Sequence, residues 1–109
     1  MASTLFDKVW DSHVVRKIDD GPDILFIDRH FIHEVTSPVA FLSLEQRGLN
    51  VLYPDRTFAT ADHNTPTINQ HLPVQDPLSA AQLKALETYS AKYSISRWGL
   101  GDPKNGIVH

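Results

Sequence analysis

The chain has 109 residues, of which 41% are hydrophobic and 21% charged, with a net charge of −3 at pH 7. That length allows one small domain, residues 1–109, with a modest core. Ten scattered bases against thirteen acids argue against a protein that binds nucleic acid by neutralising phosphates. No apolar run approaches the roughly 18 residues a membrane-spanning helix needs, and no secretory signal pattern is visible, so a cytoplasmic location is expected. With no cysteine, the chain itself supplies no disulfide, thiol nucleophile, cysteine zinc site or ligand for an iron–sulfur cluster.

In chain order, the first predicted element is a helix over residues 4–15. Thr4 and Asp7 have capping-box spacing, and Leu5, Phe6, Val9, Trp10 and His13 or Val14 recur on one helical face. Asp19-Asp20-Gly21-Pro22 reads as a turn. Ile24-Leu25-Phe26-Ile27 does not alternate with polar residues, which predicts a strand buried on both faces within a parallel sheet. Ser37 as cap, Pro38 in the first turn and Gly48 just past the end bound a second helix, with Phe41, Leu42 and Leu44 inward. Strands are predicted over 51–53 and 57–61, then a proline-bearing loop over 64–77. Ser79 with Gln82 suggests another capping box, and Leu78 with Leu83 a hydrophobic staple, opening a helix that ends near Ser94. Gly106-Ile107-Val108 reads as the start of one more buried strand. The fold class is therefore α/β, with mostly parallel short strands and flanking helices.

Three polar clusters follow apolar segments: residues 28–34, Asp62-His63-Asn64, and His109. Ligands of parallel α/β sheets bind beyond the carboxyl ends of the strands, so these clusters mark a candidate site if the strands run parallel. Their chemistry suits proton transfer, because imidazole titrates near neutrality and a neighbouring carboxylate fixes its tautomer. Asp62 and His63 are sequence neighbours and can pair only in a turn. Arg29 has the fork geometry to hold a substrate carboxylate. Plainer readings stand beside these: a polar turn at 62–64, a helix cap at His33-Glu34, and a surface ion pair at Arg29. His30 and His33 face apart in an extended chain, and no His-Glu-x-x-His signature is present, so no metal site is expected. His13 is read as structural and His71 as solvated. A serine hydrolase is disfavoured by the lack of a Gly-x-Ser-x-Gly elbow.

Residues 4–15, 27–38, 57–64 and 106–109 resemble, in the same order, segments of the isopropylmalate dehydratase large-subunit family within the aconitase superfamily. The resemblance runs the length of the chain and implies the N-terminal part of a longer protein with a three-layer α/β/α iron–sulfur domain. It implies a hydro-lyase that isomerises 2-isopropylmalate to 3-isopropylmalate in leucine biosynthesis, by removing water and adding it back. In that family a [4Fe-4S] cluster held by three cysteines acts as Lewis acid, and a small subunit completes the enzyme. By carry-over, Asp62 and His63 assist the departing hydroxyl, His109 is a further active-site residue, and His33 lies near the substrate. No cluster is expected on this chain alone, which is expected to be inactive and to self-associate or be partly disordered. The alternatives are a stand-alone binding or scaffold module with this fold, or a segment of a related hydratase such as homoaconitase.

Overall fold

The computed structural model describes residues 2–108. The first helix, α1 (Leu5–His13), is opened by the expected capping box: Thr4 accepts the Asp7 N–H, and Asp7 accepts the Thr4 N–H. Its apolar face exists but is uncovered, with Leu5 and Phe6 each more than two-thirds exposed. The helix runs straight into β1 (Val14–Arg16), which pairs antiparallel with β2 (Ile24–Leu25). The expected strand over 24–27, buried on both faces of a parallel sheet, is thus corrected. It is half of a small hairpin turned at 19–21, and Ile24 and Ile27 are exposed. Two apolar β-branched runs flanking Asp-Asp-Gly-Pro carry the hairpin signal, which the preceding helical periodicity hides.

The main sheet follows. β3 (His30–Ile32) and β4 (Thr57–Thr60) pair in parallel, as do β4 and β5 (Ser96–Trp98), giving the order β3-β4-β5. Each crossover carries a helix: α2 (Ser37–Gln46) with a 3-10 turn (Pro54–Arg56), then α3 (Pro77–Lys92). The two helices pack on one face of the sheet. There Phe41, Ala59, Ala61, Leu86, Tyr93 and Ile95 form the buried core. Phe41 stacks on Tyr89 and Tyr93, at ring separations of 5.0 and 5.5 Å. Alternation sends Phe31, Phe58 and Trp98 to the opposite face as a row of neighbouring rings 5.7 and 6.1 Å apart, with Phe31 half exposed.

Several boundaries differ from expectation for local reasons. Residues 51–53 form no strand. Leu52 is exposed, and Pro54 starts the 3-10 turn instead. Thr36, not Ser37, takes the N-cap position of α2, without a side-chain capping hydrogen bond, while Ser37 is buried inside the first turn; Leu42 faces outward. Gly48 does adopt the left-handed conformation past the helix end, at φ +63°. The cap of α3 is Asp76, which accepts the Ser79 N–H at 2.7 Å. Pro77 in the first turn favours that earlier start. Leu78 is exposed, so the staple does not form. Residues 107–108 are not a strand, and both side chains are exposed.

The hairpin unit joins the main sheet through a few contacts. Arg56 sits over the rings of Phe26 and Tyr53, themselves edge to face at 6.0 Å. His13 Nε2 lies 3.3 Å from the Asp28 carboxylate, and Nδ1 lies 2.7 Å from the Val9 carbonyl. The radius of gyration, 17.3 Å, exceeds the ~13 Å of a compact domain this long.

Two predictions follow from this packing. Leu86 is 1% exposed at the centre of the core, so Leu86→Ala costs about 2–5 kcal/mol in urea unfolding. The second concerns pH. The Val9 carbonyl, then Asp28, raises the His13 pKa above its ordinary 6.5, so its contribution is complete below 6.5 and is lost as pH climbs through the raised value. His13 lowers the Asp28 pKa below 3.8, so that contribution is complete above 3.8 and is lost as pH falls through the lowered value. The stability difference between the parent and His13→Ala is therefore largest between pH 3.8 and 6.5, and thermal melts show it shrinking as pH rises beyond 6.5.

Candidate functional site

Parallel pairing puts the ends of neighbouring strands at one edge. With Ile32 opposite Ala59, β3 and β4 finish side by side. His33 and Glu34 follow β3; Ala61, Asp62, His63 and Asn64 follow β4. The end of β5 is tied to the same edge by Asn105, whose side-chain amide donates to the carbonyls of Ala61 (2.7 Å) and Trp98 (2.9 Å). Backbone pairing continues there, with Ala61 N–H donating to the Trp98 carbonyl at 3.3 Å.

Glu34 holds this edge together. Its side chain is fully buried. One carboxylate oxygen accepts the Asp62 N–H at 3.1 Å; the other accepts those of His63, at 2.7 Å, and Asn64. Three successive amides converging on one anion make a small backbone nest. The reading of His33-Glu34 as a cap for the following helix is therefore corrected for Glu34. Its carboxylate turns across the sheet edge to the amides that follow the next strand, and the N-cap position of α2 falls on Thr36, which makes no side-chain cap hydrogen bond.

The turn imposed on residues 62–64 lets adjacent side chains meet. The Asp62 carboxylate lies 2.5 Å from His63 Nδ1; it is 2% exposed, the imidazole 41%. A carboxylate accepts, so Nδ1 carries a proton, which makes Nε2 the nitrogen open to proton exchange. The His33 ring stacks on His63 at 4.0 Å between centroids and 24° between planes. His33 Nδ1 accepts the Val35 N–H at 3.2 Å, which leaves its proton on Nε2. Two stacked imidazoles of opposite tautomer thus stand at one strand edge. Asn64 fastens the loop to α3, donating to Gln82 at 2.6 Å and accepting from Ser79 at 3.2 Å. Gln82, expected to cap α3, serves this loop instead. An open cleft of about 470 Å³ adjoins His63, walled by Asn64, Ile68, Leu72, Val74 and Ser79.

His33, Glu34, Asp62 and His63 each offer a ligand atom within 4.8 Å of the others, a metal-like spacing. The donor set fits a metal poorly, because both Glu34 oxygens already accept amide protons, whose dipoles oppose a cation. The structure therefore brings together Asp62, His63 and His33. Arg29 lies elsewhere: it precedes β3, at the opposite end of that strand from His33, and its guanidinium donates to the Asp28 carbonyl at 2.8 Å. His109 lies outside the described residues. His30, at the start of β3, and His71, in the loop, are exposed. The group that sequence reasoning underrated is Glu34. Its signal is an acidic residue directly after a strand and next to a candidate histidine.

Residues 7–109 match the aconitase family (aconitate hydratase). The whole chain is 81% identical to the 3-isopropylmalate dehydratase large subunit of Flavobacterium johnsoniae, covering 24% of that protein. It is 50% identical over its whole length to the proteins of the same name in Cytophaga hutchinsonii and Thermus thermophilus, covering 23% of each. The chain thus spans about a quarter of the length of the curated relatives it matches. No solved structure matches it. The match over nearly every residue shows that the chain belongs to the aconitase family.

Proposed function

We propose that this chain is the N-terminal segment of a hydro-lyase that interconverts 2-isopropylmalate and 3-isopropylmalate by dehydration and rehydration, in leucine biosynthesis. The observation that carries the reading is the Asp62–His63 pair at a parallel strand edge, in a chain 81% identical to a 3-isopropylmalate dehydratase large subunit. The names of the relatives favour this substrate over that of another hydratase.

The chemistry asks for proton handling. Hydroxide is a poor leaving group and departs readily only as water, so a donor must serve the hydroxyl oxygen. His63 suits that task. Asp62 holds its Nδ1–H, so Nε2 gives a proton to the departing hydroxyl when the ring is in its imidazolium form, while the carbon-bound proton lost with it needs a separate base that these groups do not supply. When water adds back at the neighbouring carbon, the same atom receives the proton. A ring that gains a proton there becomes a cation lying against a carboxylate, which is a favourable placement. His33 offers an Nε2–H beside it, suited to a hydroxyl or carboxylate oxygen of the substrate. His109, by the family resemblance, is a further member of this site. Arg29 is left out, because it stands at the other end of β3.

Full-length members of the family carry a [4Fe-4S] cluster on cysteine thiolates. This chain contains no cysteine, so its residues do not fit that group, and the roles above belong to its own side chains alone. A small subunit is the proposed partner of the complete protein. Among the described residues no helix is long and apolar enough to cross a membrane.

Two outcomes check this reading. In the complete dehydratase, His63→Ala lowers kcat at least ~100-fold with KM largely unchanged, as loss of a proton donor requires; a fall of only a few-fold contradicts the assigned role. The 109-residue chain alone shows no isopropylmalate turnover in a coupled assay, and turnover free of contaminating enzyme contradicts the need for the rest of the protein.

A further inference from the structure

We propose that Glu34 is a positioning residue for the Asp62–His63 pair: its buried carboxylate sets the turn at 62–64 and, through it, the tautomer of His63. Its kinetic consequence rests on the proposed function, whereas its structural consequence does not.

The geometry is specific. Asp62 and His63 are adjacent, and in extended backbone their side chains point to opposite faces. The chain bends at 62–64 because three successive N–H groups turn inward onto one anion. An ionised carboxylate has acceptor sites on both oxygens, enough for three donors; a glutamine offers one oxygen and brings two donors of its own. The amide variant therefore sets an NH2 group against an inward N–H, and the turn must open. With the turn open, the Asp62 carboxylate leaves Nδ1 of His63. The ring then loses the partner that holds its proton on Nδ1. Glu34 needs no contact with substrate to act this way. It reaches the pair through the backbone alone, from the neighbouring strand of the sheet.

The test reads the ring directly. Nitrogen-15 spectra of histidine-labelled protein are recorded on the 109-residue chain and on the complete large subunit. In the parent, neutral His63 carries its proton on Nδ1, and the amides of Asp62, His63 and Asn64 exchange at least ~100-fold slower than free amides despite their place in a turn. In Glu34→Gln the proton moves to Nε2 and exchange at 62–64 quickens at least ~10-fold, while the amides of β4 stay protected. A merely structural glutamate lowers the melting temperature of this variant and leaves the His63 tautomer unchanged, which overturns the proposal. If Glu34→Gln does not fold, the parent spectrum decides: an Nε2–H tautomer at His63, or unprotected amides at 62–64, overturns it. In the complete dehydratase, Glu34→Gln lowers kcat ~10-fold or more with KM within about twofold. Should the parent enzyme fail to turn over isopropylmalate, the proposed function falls, and Glu34 is still judged by the spectra.

Discussion

A charge with no exposure to water must be met by donors, and Glu34 is met by three consecutive backbone amides of another strand's end. Hydrogen bonds to a charged group contribute about 1.5–3 kcal/mol each, whereas a buried charge stripped of its partners costs several kcal/mol. The two outcomes differ enough to make the arrangement close to all-or-none. Either β3 and β4 end in register and the carboxylate is solvated by peptide, or the edge does not form. The stack of His33 on His63 and the contact of Asp62 with His63 are consequences of that one bridge.

The rest of the molecule supports the edge with modest means. Among the described residues, six buried apolar side chains between the sheet and two helices make up the core. An ion pair between Lys92 and Glu45, joined by the Tyr89 hydroxyl at 3.2 Å, ties α2 to α3. Lys92 lowers the Glu45 pKa and Glu45 raises that of Lys92, so the pair stays charged across the neutral range. The opposite face of the sheet carries Phe31, Phe58 and Trp98 with no helix of α2 or α3 upon it, and α1 leaves its apolar side in water. Exposed apolar surface of this kind marks an interaction face.

How much of this could be read beforehand depends on which signals were local. Periodicity revealed α1 and most of α2 and α3, and the α1 capping box formed as expected, whereas the cap residues expected for α2 and α3 did not serve as caps. The candidate edge was legible in part: Asp62-His63 follow β4 as expected, whereas His33 and Glu34 follow β3, which lies inside the cluster at 28–34, and not the apolar run at 24–27. Polar groups after Thr60 and after Ile32 lie at one edge once the strands are parallel, and the pair at 62–63 meets in a turn as its adjacency demands. The strands themselves were less legible. β3 is three residues long, starts with a histidine and is flanked by charges, so nothing in its composition separates it from a loop. β5 hides between Ser94 and Gly99 for the same reason. The apolar run at 24–27 looked more buried than β3, yet it belongs to an exposed hairpin, because burial depends on which element lies opposite and not on the run itself. Glu34 was hardest of all: its partners lie 28 to 30 residues away, and no local pattern announces them.

The functional reading inherits its strength from the same edge. Proton chemistry needs an imidazole with a fixed tautomer, a carboxylate that fixes it, and a second polar group within reach. The joined ends of β3 and β4 bring these together beside an open cleft. The most direct test of that joining is the contact between the two rings. Nuclear Overhauser measurements on the 109-residue chain should connect the ring protons of His33 with those of His63, as rings 4.0 Å apart require. Ring protons that show no mutual contact, in a chain whose β3–β4 amides are paired, would contradict the account.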